Sequence, residues 1–68
     1  MNEVDTIIYK LLTSAGELTP EAISDIAQIP LPLVRASLKR LMLEMKASER
    51  SVLAGIGDDS IICYWSAK

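Results

Sequence analysis

Apolar residues recur at helical spacing in three successive stretches, and the remainder of the chain switches to strand spacing. In residues 4–15, Val4, Ile7, Ile8, Leu11, Leu12 and Ala15 follow the i, i+3, i+4, i+7 template of an amphipathic helix. Asp5, Thr6, Tyr9 and Lys10 fall on the opposite side. Asn2 is placed to cap this helix, Asp5 lies in its first turn and Gly16 is placed to end it. Residues 17–19 are long enough only for a turn or a very short strand, with Leu18 placed to add a third strand at a sheet edge. A second helix opens with Thr19 as N-cap, Pro20 at its first position and Glu21 near the positive end of its dipole. It is expected to bury Ile23, Ile26 and Ala27 and to stop by Ile29, because Pro30 disfavours helical geometry in the residue before it.

A third helix is expected from Pro32 to about Met45. Val34, Leu38, Leu41 and Met45 make its buried stripe, with Ser37 and Met42 at the edges. Pro32, Ala36, Lys39 and Leu43 point outward; Arg35 and Lys46 lie on one flank and Arg40 on the other. No Ser, Thr, Asp or Asn stands at its N-cap, which leaves its first N–H groups without a side-chain partner. The three stripes predict one core built on Ile7, Leu11, Ile23, Ile26, Val34, Leu38 and Leu41. After residue 46 the period falls to two. Residues 47–54 and 61–65 read as strands around a turn-forming segment, Gly55-Ile56-Gly57-Asp58-Asp59. An isolated hairpin is marginal, so this one must lie against the helices. The predicted fold class is α+β: three helices followed by a β-hairpin.

The chain has 68 residues, of which 50% are hydrophobic and 24% charged, with a formal net charge of −2. That length suits one small soluble domain over residues 1–68. The acidic first residues lack the pattern of a secretory signal, and no apolar run nears the ~20 residues of a membrane span. A cytoplasmic location is the expectation. The lone cysteine, Cys63, excludes an internal disulfide, and alternation places it with Ile61 and Trp65 as an inert buried thiol. Trp65 and Tyr64 read as core and edge residues. Without histidine there is no Ser-His or Cys-His pair and no imidazole metal site, and the three glycines form no phosphate-binding loop. No enzymatic activity and no cofactor are expected, so function falls to binding.

The order helix, short strand, helix, turn, helix, hairpin resembles the winged helix-turn-helix superfamily over essentially the whole chain. The resemblance is carried by residues 18–27, by Pro32, Leu33 and Val34, and by Leu38 and Leu41. Residues 46–50 stand where that superfamily begins its first wing strand. The tract over residues 16–47 is also similar to the small winged-helix accessory protein of bacterial ferrous-iron transport, its C component. The shared residues are Ile23, Ser24, Pro30, Pro32, Ala36, Leu38, Leu41, Lys46 and Ala47. Its cysteine-rich wing is not matched, since only Cys63 is present, and no iron-sulfur cluster carries over. Gln28 and Met45 stand where glycine is common in the superfamily, and Ala36 where its DNA-binding members often place a polar or basic side chain.

Charge is unevenly distributed. Residues 1–30 carry one base against five acids, whereas residues 31–50 carry five bases against two acids. A basic segment that coincides with the third helix suits phosphate contact. The resemblance then implies a DNA-binding transcriptional regulator, with Arg35, Lys39 and Arg40 as candidate contacts and Lys46 and Arg50 assisting. At the wing tip Gly57, Asp58 and Asp59 would repel a phosphate backbone. The alternative is a protein-interaction module or an accessory subunit of a larger assembly, working through an apolar patch of Leu31, Leu33 and Leu43. With no long extra helix to build a dimer, a monomer or weak homodimer is expected.

Overall fold

A computed structural model describes residues 2–53, 55 and 61–68. The first helix, α1 (Glu3–Ala15), opens as its sequence predicts, with the Asn2 side chain accepting the Asp5 N–H at 2.8 Å. Gly16 ends it at φ 87° and ψ −64°, a conformation L side chains rarely adopt, although an added Cβ would meet nothing within 4 Å. Backbone freedom rather than space makes glycine suitable there. After β1 (Glu17–Leu18), α2 (Pro20–Ala27) is capped by Thr19, whose Oγ1 accepts the Ala22 N–H at 3.2 Å. It stops two residues short of Ile29 because Gln28 turns left-handed at φ 57°. The Ser24 hydroxyl donates to the Ile29 carbonyl at 2.6 Å and ties this turn to the helix it ends.

The third helix, α3 (Leu31–Leu43), starts one residue earlier than predicted, with Pro30 at its N-cap and no side-chain cap. It also ends earlier. Met45 takes φ 61°, its N–H bonds to the Met42 carbonyl at 3.0 Å, and the Lys46 N–H reaches back to the Leu41 carbonyl at 2.8 Å. This is the Schellman arrangement, usually built on glycine. Gln28 and Met45, the two positions where the superfamily favours glycine, are the two described non-glycine residues with positive φ.

Strands β2 (Ala47–Leu53) and β3 (Ile61–Ala67) form the hairpin, and β3 runs two residues beyond its predicted end. Ala54 and the turn segment with Gly57, Asp58 and Asp59 lie outside the described residues. The sheet order is β1-β3-β2, antiparallel throughout. Leu18 pairs with Trp65, which confirms the third edge strand, and Ala47 through Leu53 pair with Ala67 through Ile61. Three helices followed by an antiparallel hairpin give an α+β, winged-helix-like topology.

The core consists of Ile8, Leu12, Ile23, Val34, Leu38, Leu41, Ala47 and Trp65. Four of the seven predicted core residues, Ile23, Val34, Leu38 and Leu41, are in the core; Leu11 is half-buried at its margin, and Ile7 and Ile26 are corrected to exposed positions, at 40% and 57%. The buried row of α1 is Asp5, Ile8 and Leu12, an i, i+3, i+7 line that places Ile7 about 130° from its centre. In α2 the contact side runs through Pro20, Ile23 and half-buried Ala27, leaving Ile26 at the solvent edge. Met45 lies beyond the helix and is 72% exposed rather than part of the α3 stripe, whereas Ser37 is fully buried.

Leu38→Ala should destabilise the fold by about 2–5 kcal/mol, since the cavity opens where all three helices meet the sheet. Urea unfolding measures this, and a loss under about 1 kcal/mol would remove Leu38 from the centre of the core. Met45→Gly should act in the other direction. Relieving a left-handed non-glycine residue outweighs the added chain entropy by about 0.5–1 kcal/mol. A lower unfolding midpoint for that variant would show that the Met45 side chain contributes more than its exposure suggests.

Candidate binding surface of the third helix

Asp5 is 2% exposed and reaches α3 from the buried row of α1. Arg40 Nη2 donates to its Oδ1 at 2.8 Å and Arg40 Nε to its Oδ2 at 3.2 Å, a two-pronged bond. The hydroxyl of fully buried Ser37, one turn before Arg40, donates to Oδ1 as well. The Arg40 guanidinium bond holds the Asp5 carboxyl below its ordinary 3.8, against the opposing effect of burial, and the same bond raises Arg40. Asp5 is therefore corrected from the outer to the inner side of α1. An apolar template discards a carboxylate, yet Asp5, Ile8 and Leu12 already stood at core spacing in the sequence. The charge is tolerated there because three donors from α3 meet it.

Arg50 is held in the same manner on the sheet. Its Nε and Nη2 donate to Glu17 Oε2 and Oε1 at 3.1 and 2.7 Å, and its guanidinium carbon stands 5.2 Å from the Tyr64 ring centroid. These contacts strap β2 to β1 across the central strand, and the Arg50 bonds lower the Glu17 carboxyl. Arg35 Nη2 lies 3.4 Å from Glu21 Oε1, with both side chains mostly exposed, so this pair is weak. Lys39 is exposed and Lys46 half-buried, and neither has an ion pair among the described residues. Of the five predicted bases, Arg35 and Lys39 border one groove, whereas Arg40 and Arg50 are paired with carboxylates. Arg35 is loosely held, and Lys39 is the base of α3 that has no ion pair among the described residues.

Two rows run along the exposed part of α3. Leu33, Ala36, Arg40 and Leu43 form the first, in which Arg40 is drawn towards Asp5 and the apolar members remain, Leu33 at 52% and Leu43 at 74% exposure. Pro32, Arg35, Lys39 and Met42 form the second, which faces the sheet. Of the predicted apolar patch, Leu33 and Leu43 are open, while Leu31 is half-buried and lines a concavity of about 440 Å³ at the α2–α3 turn with Ser24, Gln28 and Pro30. Cys63 is half-buried rather than buried, its Sγ 3.8 Å from the Ser51 hydroxyl, and Ile61 beside it on that face is exposed. Trp65 is the core member of the strand, as expected.

Among the described residues, no cluster of acidic and cysteine side chains is arranged to hold a metal ion. No described helix is long and apolar enough to cross a membrane. No family model matches the chain, and no curated protein sequence matches it.

The Asp5 carboxylate predicts an acid-sensitive fold. A carboxyl held below its unfolded value contributes stability that is complete above about pH 4 and is lost as pH falls through its folded value, below 3.8. Asp5→Asn should destabilise the protein by about 1–3 kcal/mol at neutral pH, by leaving buried hydrogen-bonding groups imperfectly matched. It should also flatten the fall in unfolding midpoint between pH 5 and 2. Parallel pH profiles for the two proteins would refute this linkage.

Proposed function

We propose that the protein is a non-catalytic winged-helix module that binds another protein through the outer side of α3. The observation that carries this reading is the division of labour along the helix. Arg40, still 46% exposed, is paired with Asp5, and the other members of its row, Leu33, Ala36 and Leu43, are apolar and exposed. A recognition helix for DNA needs the reverse, with polar and basic side chains outermost and free to reach phosphates or base edges. Exposed apolar residues at helical spacing instead suit a partner that covers them. The resemblance to a transport accessory protein points the same way.

Sequence-specific DNA binding in transcriptional control is the second reading, and one observation favours it: α3 carries Arg35, Lys39 and Arg40 and no acidic residue. Under that reading Lys39 and Arg35 are the contacts most able to engage phosphate, while Arg40 and Arg50 would first have to leave Asp5 and Glu17.

A duplex titration over a range of salt, combined with photo-cross-linking from position 43 in cells, separates the two. The protein-binding reading expects no saturable association with random or promoter-derived duplexes at low salt. It also expects a discrete cross-linked species that disappears when Leu33→Asp is added. Tight duplex binding that weakens steeply with salt and is reduced by Lys39→Ala would establish the DNA reading in its place.

A further inference from the structure

Alongside the second row of α3 lies a groove of about 260 Å³, closed on its far side by the sheet. Leu38, Met42 and Trp65 provide its apolar floor, Arg35 and Lys39 its rim on the helix side, and Glu49 its rim on the strand side. We propose that this groove is the specificity pocket of the interaction surface, taking one large apolar side chain from a partner peptide whose neighbouring residues are acidic. The inference rests on the protein-binding reading above and names the chemistry of its partner.

Size favours a side chain over a free ligand, because small-molecule sites typically start at roughly 300 Å³ and enclose most of their occupant. Charge sets the orientation. Lys39 and Arg35 stand one helical turn apart, Lys39 has no ion pair among the described residues, and Arg35 is held only by an exposed 3.4 Å contact with Glu21. Exchanging that contact for a partner's carboxylate costs little. Glu49 repels an acid on the opposite rim, so the partner's carboxylates must lie along α3 with the apolar side chain pointing towards Trp65. Met42 gives the floor an unbranched side chain that adapts to its occupant.

Trp65 is the only tryptophan of the chain and lines the groove from the core, so its emission responds to an occupant there. The probe is the blocked peptide Glu-Asp-Leu-Phe-Glu-Asp. Two controls accompany it, one with its acids replaced by Gln and Asn and one with Leu-Phe replaced by Ser-Ser. The acidic apolar peptide should shift Trp65 emission saturably, and each control should bind at least about fivefold more weakly. Combining Arg35→Gln with Lys39→Gln should cause a similar loss while the circular dichroism spectrum stays unchanged, since both side chains are exposed. No saturable shift up to about 1 mM peptide, or equal responses to all three peptides, overturns the proposal. Failure of the peptides while the position-43 cross-link persists overturns the groove alone. Loss of that cross-link with peptide binding intact counts against the protein-binding reading and leaves the groove chemistry in place.

Discussion

The carboxylate of Asp5, enclosed between the first and third helices, fixes the orientation of both. Its partners, Ser37 and Arg40, sit one turn apart on α3, so satisfying it sets the rotation of that helix as well as its distance from α1. A purely apolar contact tolerates sliding and rotation; a buried charge met by three directed donors tolerates much less. Rotation of α1 to bring Asp5 inward is what exposes Ile7 and seats Ile8 and Leu12 in the core. On α3 the same bond engages Arg40, which stays half-exposed but is no longer an unpaired base. The character of the outer surface therefore follows from a polar contact inside.

This coupling also explains what could be read from the chain and what could not. Boundaries governed by local chemistry were legible: Asn2 and Thr19 cap their helices, Gly16 ends α1, and Leu18 joins the sheet. The absent glycines at 28 and 45 marked positions that still adopt the left-handed geometry, with backbone hydrogen bonds closing each helix end there. What failed was the phase of the helical stripes. Ile7 and Ile8 compete for one inward place, and periodicity cannot rank them without knowing that Asp5 has a partner 35 residues away. The same blindness affected the basic cluster. Counting bases in residues 31–50 recorded a charge excess, whereas the carboxylates that hold Arg40 and Arg50 belong to the acidic first half of the chain.

Acidic and basic halves thus meet within one molecule. Asp5 with Arg40, Glu17 with Arg50 and Glu21 with Arg35 each join the first 30 residues to the following 20. Only the first of these is buried enough to weigh heavily on stability; the exposed pairs act chiefly by occupying side chains that a partner would otherwise find. Segmental charge is a record of such internal pairing as much as of external ligands, and on α3 it leaves Lys39 as the base that none of the described acids reaches.

The short pairing of Glu17 and Leu18 with Ser66 and Trp65 has a consequence for the order of assembly. It closes a loop that contains α2, α3 and the hairpin, and Trp65 is the sheet's principal contribution to the core. Helices α1 to α3 can form from local signals, but their packed state waits for Trp65, which is made after all three of them. Such distant closure slows folding relative to a helical bundle of similar size. It also means that a nascent chain emerging from the ribosome remains an unfinished core, with Ile23 and Leu38 still in search of cover, until Trp65 has cleared the exit.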